Sequence, residues 1–328
     1  MNEIKFIKIN GKRWQNFDHL LSNKNKNREN SNPDRLARLY IELTDDLAYA
    51  KTFFPKSKTT KYLNQITLKA HQQIFKRRKI AKNSLLRFFI YDYPVTLFRH
   101  RKKIIIAFIF FVLSAVIGAV SFNMDEEFAR YILGDSYVNM TIENMENGHP
   151  MGVYNSENET LMFFGIAWNN IRIALLAFAM GIFFSIGTYI LLFYNGVMLG
   201  VFQALFIQHG LFKIYFLTVW MHGTIEISSI IIAASAGLVM GNSLLFPGTL
   251  PRIYSLQKGA LEGVKIVIGL IPFFIIAAFI ESFLTRHSES SYFFDSLLII
   301  ASSLLIVFYF FIYPYFITKK LSHEQYVL

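Results

Sequence analysis

A chain of 328 residues that is 53% hydrophobic and 16% aromatic, with 34 phenylalanines and a net charge of +11, is far from the composition of a soluble globular protein. Its apolar residues come in runs long enough to span a bilayer, so it is a membrane protein, and the absence of cysteine excludes disulfides, thiolate nucleophiles and cysteine metal sites. Met1 to Leu21 mixes Lys, Arg, Asn and Asp with its apolar residues, lacks the hydrophobic stretch of a signal peptide, and is expected to stay where it is made.

In chain order, Phe6, Asn10, Trp14, Phe17 and Leu21 fall at helical spacing, as do Leu36, Leu39, Tyr40, Leu43 and Leu47. The second of these helices has Asn32 as a cap, Pro33 at its first position and Asp34 near the positive end of its dipole, and Pro55 should end it. The Asn-rich Ser22 to Asn32 reads as a loop. A third helix is expected from about Lys58 to Lys79, with Tyr62, Leu63, Ile66, Ala70, Ile74 and Phe75 on its apolar side. Three such faces can bury one another, which gives residues 1–81 as a basic helical domain. Leu85 to Phe98 is interrupted by Arg87, Asp92 and Pro94, and residues 82–103 read as an elbow at the membrane interface.

Residues 104–318 carry about six crossings: Ile104 to Phe122, Ile171 to Phe193, a less regular Gly196 to Trp220, Thr224 to Phe246, Gly263 to Leu284 and Ser296 to Ile317. Asn195-Gly196 reads as a tight turn between the second and third, and Pro247 as the end of the fourth. An outer loop occupies 123–168 and a tail 319–328. No internal repeat is expected.

Residues 1–103 carry 24 Lys and Arg against 8 Asp and Glu, whereas residues 123–170 carry Arg130 alone against eight acids. Positive loops stay in the cytoplasm, which puts the N-terminal region inside and the acidic loop outside, with both termini cytoplasmic. Arg252, Lys258, Lys265, Lys319 and Lys320 fit the same alternation. The basic clusters at Lys76 to Lys79 and Arg99 to Lys103 lie near the first crossing, where contact with anionic lipid headgroups accounts for them without nucleic acid. The expected fold is all-α: a polytopic membrane protein with about six transmembrane helices and an N-terminal cytoplasmic helical domain.

Small residues recur four apart at Ala177, Gly181 and Ser185, at Gly196 and Gly200, at Ser229, Ala233, Gly237 and Gly241, and at Ser255, Gly259 and Gly263. Such spacing lets helix backbones approach closely, within one chain or between copies, so Gly181, Gly196, Gly200, Ala233, Gly237 and Gly241 are packing candidates and homo-oligomerisation stays open.

The most informative stretch is His222-Gly223-Thr224-Ile225-Glu226, two ionisable groups one helical turn apart in a tract whose only other charge from Leu211 to Phe246 is Lys213. A charge at the centre of a bilayer costs roughly 2.5 kcal/mol or more, so such residues face a bundle interior or water. Under the expected topology Arg172, His222, Glu226 and Glu281 all fall toward the outer leaflet, where Arg172 with Glu226 or Glu281 would make a buried ion pair and Asn169, Asn170 and His222 would supply hydrogen bonds. Three roles compete: a polar clasp that fixes the helices, a proton or ion pathway, and an intramembrane hydrolase. The His-Glu-x-x-His arrangement is absent and His209 alone does not complete a metal set, so neither catalytic residues nor a metal or cofactor are expected.

At these residues the chain resembles the stage II sporulation protein M family of integral membrane proteins. The resemblance runs through Tyr62-Leu63-Asn64, Ala70-His71, Asn169-Asn170-Ile171-Arg172, Tyr194-Asn195-Gly196 with Leu199-Gly200, His222-Gly223 with Glu226, Leu245-Phe246-Pro247-Gly248, and Glu281 with Phe283. Met221 and Ser282 depart from its pattern, where proline and a glycine or alanine are common. The resemblance implies a non-enzymatic scaffold of the bacterial inner membrane that assembles a cell-envelope complex, with peptidoglycan hydrolases among its partners. A transporter or channel that uses the Arg, His and Glu cluster is the alternative, with His209, Gly210 and Lys213 interrupting the third crossing.

Overall fold

A computed structural model describes residues 2–22, 33–74, 84–152, 158–285 and 292–326. Asn32, Phe75, Lys76 to Lys79 and all of the Asn-rich segment but Ser22 lie outside the described residues. The chain divides into two compact units, Met1–Asn83 and Ser84–Leu328, and among the described residues every regular element is helical.

The first unit holds α1 (Glu3–Ser22), α2 (Pro33–Phe53) and α3 (Lys58–Ile74). Their apolar stripes meet in one core of Phe6, Trp14, Phe17, Leu21, Leu43, Leu47, Ala50, Leu63, Ile66 and Ala70. The Trp14 indole N–H donates to Asp46 Oδ2 at 2.8 Å, and Arg13 pairs with the same carboxylate and with Glu42. Thr60 closes the α2–α3 turn by donating its hydroxyl to the Phe54 carbonyl at 2.7 Å.

The second unit opens with the short α4 (Ser84–Arg87) and a π turn, Phe88–Asp92, that runs directly into α5 (Tyr93–Met124). The expected elbow is therefore the start of the first crossing helix, not a separate piece. Tyr93 and Leu97 are fully buried in the main core, and the Tyr309 and Tyr313 hydroxyls donate to the Phe89 and Ile90 carbonyls, each at 2.9 Å. The last crossing repeats the device: α12 (Tyr292–Val307) passes through a π turn, Phe308–Ile312, into α13 (Tyr313–Tyr326). Pro94 and Pro314 each follow two residues after a π turn, where the wider turn accommodates a residue that lacks an N–H and crowds the preceding carbonyl.

Between these come α6 (Glu127–Leu133), α7 (Asp135–Glu146), α8 (Glu159–Ala179), α9 (Ile186–Gln208), α10 (Phe212–Leu245) and α11 (Arg252–Phe279), the last prolonged by a π turn, Ile280–Leu284. Six helical segments are long and apolar enough to cross a membrane: Ser84–Met124, Glu159–Ile182, Ile186–Gln208, Phe212–Leu245, Arg252–Leu284 and Tyr292–Leu321. α10 is buried along most of its length and packs on α5, α8, α9, α11 and α12.

Two boundaries differ from expectation. Asn195-Gly196 lies inside α9, and the turn between the second and third crossings falls at Phe183, Phe184 and Ser185, the last two with φ of 53° and 69°. Asn195 stays helical because its amide donates to the Leu191 carbonyl at 2.8 Å, and Gly196 is small because a Cβ there would meet Ser114 and the Phe111 carbonyl. Likewise His209 and Gly210 connect α9 to α10 and do not break a crossing. His209 Nδ1 sits 2.8 Å from the Leu205 carbonyl, Gly210 has φ of 72°, and Lys213 rests over the Tyr292 ring.

The outer segment is more ordered than a plain loop. Ala129, Val138 and the ends of α5 and α9 share a core with Phe122, Val197, Val201, Ala204 and Leu205, so α6 and α7 cap one end of the bundle.

Candidate functional site

The two ends of the bundle carry different charges. At the basic end Glu262 on α11 gathers Arg99 at 2.9 Å, His100 at 3.4 Å and Lys265 at 2.5 Å, while Lys103 donates to the Asn242 amide oxygen at 2.7 Å. Sequence reasoning missed Glu262, because two of its partners, Arg99 and His100, lie more than 160 residues away on α5. At the acidic end stand Asp125, Glu126, Glu127, Asp135, Glu143 and Glu146, all exposed.

The polar cluster lies toward the acidic end. Glu281 is 19 residues beyond Glu262 on α11, about 28 Å at 1.5 Å per residue, which nearly matches a hydrocarbon core of about 30 Å. On α10, Glu226 is 16 residues before Asn242, about 24 Å away. The cluster and the Glu262 network are thus separated by about the thickness of a hydrocarbon core.

Helical spacing puts His222 and Glu226 on one face of α10, and the π turn at the end of α11 turns Glu281 toward them. One ligand-type atom from each of His222, Glu226 and Glu281 lies within 4.8 Å of the others. His222 Nε2 is 3.8 Å from Glu281 Oε1, beyond hydrogen-bonding reach, and His222 Nδ1 is 3.3 Å from the Thr285 hydroxyl oxygen. His222 is 5% exposed, and the Glu281 side chain 14%. Asn170 on α8 is buried beside Glu226, yet its amide nitrogen makes no hydrogen bond of ordinary geometry among the described residues. The Ser282 and Thr224 hydroxyls are also buried and unpartnered.

α7 covers this end of the site. Tyr137 is half-buried there, and its phenol is pushed above its ordinary range first by burial and then by the nearby Glu281 carboxylate.

Arg172 stands apart. It is exposed and makes no ion pair among the described residues, and Asn169 next to it is exposed as well. The reason is register: Asn170 faces α10 while Arg172, two residues on, projects from another side of α8. The expected ion pair of Arg172 with Glu226 or Glu281 is therefore replaced by a His–Glu–Glu group without a Lys or Arg among the described residues. Asp295 on α12, 2% exposed and with an unpartnered oxygen, is a second buried carboxylate that sequence reasoning missed.

The packing candidates all sit at tight contacts. A Cβ on Gly181 would lie 2.2 Å from the Gly237 carbonyl oxygen, and one on Gly237 would lie 2.4 Å from that of Ala177. Gly241 abuts Ser185, Gly196 and Gly200 abut α5, and Ala233 is fully buried in the main core. Gly118 on α5, missed in the sequence, abuts the Val197 backbone in the same α5–α9 seam.

The family model described as stage II sporulation protein M matches residues 107–286, which hold every member of the cluster. The chain belongs to the stage II sporulation protein M family. That family is not a known family of enzymes. A second model, Domain of unknown function (DUF8413), matches residues 4–76, which include Tyr62-Leu63-Asn64 and Ala70-His71; these lie outside the stage II sporulation protein M match. No curated protein and no solved structure matches the chain. Within the family match lie α6 and α7, four whole crossings and the second half of the first, so the cap over the polar cluster belongs to the family's own region.

Proposed function

We propose that this member of the stage II sporulation protein M family is a non-enzymatic scaffold of the bacterial inner membrane, with both termini cytoplasmic, that assembles a cell-envelope complex linked to peptidoglycan remodelling. The observation that carries this reading is the construction of the membrane unit. α10 is jacketed by five helices and fixed by backbone-to-backbone contacts at Gly181, Gly237 and Gly241, which favours a body of fixed shape over one that rocks between states. The acidic face of α6 and α7 offers a surface for envelope partners such as peptidoglycan hydrolases, and the N-terminal helices one for cytoplasmic protein or lipid headgroups.

Because α6 and α7 pack on the bundle, neutralising their exposed charges tests the reading better than removing them. Glu127→Gln, Glu143→Gln and Glu146→Gln together are expected to reduce cross-linked envelope partners in native membranes while thermal stability holds. An unchanged partner set would overturn it.

A second reading, ion passage, is favoured by one observation: Glu226 and Glu281 lack a Lys or Arg counter-charge among the described residues. Flux in proteoliposomes with Glu226→Gln tests it. Equal flux from variant and parent excludes Glu226 as a relay.

A further inference from the structure

We propose that His222, Glu226 and Glu281 bind a divalent transition metal of the zinc type, held just inside the acidic end of the membrane unit. This goes beyond the scaffold reading and revises the expectation, drawn from the sequence, that no metal is bound.

The first argument is the donor set. Zinc takes imidazole nitrogen and carboxylate oxygen at about 2.0 to 2.2 Å, which places neighbouring ligand atoms about 3.4 Å apart in a tetrahedral site. The three atoms here already lie within 4.8 Å of one another, so side-chain movements of about 1 Å would close them on an ion. An imidazole ligand selects against magnesium and calcium, which prefer oxygen alone.

The second is charge. Two carboxylates taken from water need compensation, and a divalent cation neutralises both. Among the described residues neither glutamate pairs with Lys or Arg, and Arg172 is turned away from both.

The third is the imidazole itself. The Thr285 hydroxyl donates to the Ile280 carbonyl at 3.2 Å, so its oxygen is left to accept from His222 Nδ1–H at 3.3 Å. With Nδ1–H directed at that oxygen, Nε2 is the nitrogen that faces the Glu281 carboxylate, 3.8 Å from Oε1. A histidine that donates its far N–H to a fixed acceptor and turns the other nitrogen inward is the usual arrangement of a metal ligand.

The fourth is independent of the three ligands. Asn170 is 3% exposed and lies beside Glu226, and its amide nitrogen makes no hydrogen bond of ordinary geometry among the described residues. A carboxylate drawn onto an ion would present its second oxygen to that amide, as outer partners of metal-bound carboxylates do.

The test uses the full chain, purified in detergent without a histidine tag, washed with chelator, and then equilibrated with Zn²⁺ or Co²⁺. About one zinc per chain is expected by elemental analysis, with a visible absorption band for the Co²⁺ form. Glu226→Gln and Glu281→Gln, near-isosteric changes, and His222→Ala should each lower occupancy at limiting Zn²⁺ on the order of tenfold or more. Thr285→Val should weaken binding by about 10- to 100-fold while Thr285→Ser retains it. Glu262→Gln, at the far end of the same helix, should bind as the parent does. Should the cluster variants fail to fold, the parent protein still decides: Zn²⁺ must raise its melting temperature and chelator lower it, as for any ligand that binds only the folded state. Zinc in fewer than about one chain in ten, equal occupancy in the cluster variants, or a melting temperature indifferent to Zn²⁺ would each overturn the proposal.

Discussion

The α5–α9 seam gives the sharpest stability prediction. A Cβ on Gly200 would sit 1.9 Å from the Ala115 carbonyl oxygen, 2.7 Å from its carbonyl carbon and 3.0 Å from its Cα. Ordinary contact begins at 3.4 Å, so Gly200→Ala demands about 1.5 Å of relief, and because every near atom is backbone no rotamer change can supply it. The two helices must part, which also loosens Gly196 against Ser114 and Gly118 against Val197. Overpacking costs typically about 1 to 3 kcal/mol, and a rigid obstacle puts this case near 3 kcal/mol. For a unit of this size that is about 6 to 12 °C in melting temperature. The assay is size-exclusion chromatography of detergent-solubilised protein after graded heating, with Gly165→Ala on α8 as control. A Cβ on Gly165 meets nothing within 4 Å, so helix propensity should leave that variant unchanged or raise it slightly. If Gly200→Ala melts with Gly165→Ala, the close approach of α5 and α9 is wrong.

The other predictions follow the same physics. Glu262→Gln leaves Arg99, His100 and Lys265 without their shared carboxylate, but Arg99 and Lys265 are about half exposed, so the expected loss is about 1 to 2 kcal/mol by thermal melting, smaller at high salt. An equal loss at low and high salt would show that charge is not its cause. Ser185→Gly should be neutral or stabilising by about 1 kcal/mol, because φ of 69° strains a residue with a Cβ. Ser229→Gly, buried inside α10, should instead destabilise, and the same sign for both would refute the turn at Ser185. In the N-terminal unit Asp46→Ala strands the Trp14 indole N–H and Arg13, at a cost of about 1 to 3 kcal/mol, read as faster proteolysis within residues 2–74 and a red shift of Trp14 emission. An unchanged cleavage rate would refute the role given to that carboxylate.

The crossings and the N-terminal helices were legible because hydropathy and helical spacing report burial directly: Phe6, Trp14, Phe17 and Leu21 do line one core. Turns were harder. Asn195-Gly196 looks like a turn in sequence, but its asparagine satisfies its own helix and its glycine makes room for α5, whereas the true turn is made of the exposed Phe183 and Phe184 and the buried Ser185, with no Gly, Pro or Asn to signal it. The cluster was partly legible. His222 and Glu226 announce themselves as charges in an apolar tract, but the pairing of Glu281 with His222 and the exclusion of Arg172 depend on the rotation of α8 and on a π turn at the end of α11, and neither leaves a mark in composition. Glu262 and Asp295 were missed for the same reason: a single acid near a span end is common, and only the third dimension supplies what surrounds it.

The placement of polarity on α10 has a physical cause that links the fold to the site. A helix that faces lipid must be apolar, and α5, α8 and α12 each expose a wide apolar side that includes Ile105, Phe108, Leu161, Phe164, Leu297 and Leu304. α10 is shielded by five neighbours, so His222, Thr224 and Ser229 cost it little contact with lipid, and what they need is partners from the surrounding helices. For His222 and Glu226 those partners come from α8 through Asn170 and from α11 through Glu281 and Thr285. The same shielding explains the glycines and alanines of α10 between Ala233 and Gly241, because neighbours close enough to exclude lipid from the helix must approach its backbone. A central helix thus becomes small-residued toward one end and polar toward the other for a single reason: between its exposed tips its environment is protein. It is there, and not on a lipid-facing helix, that a buried ion-binding group can be assembled without exposing it to the bilayer.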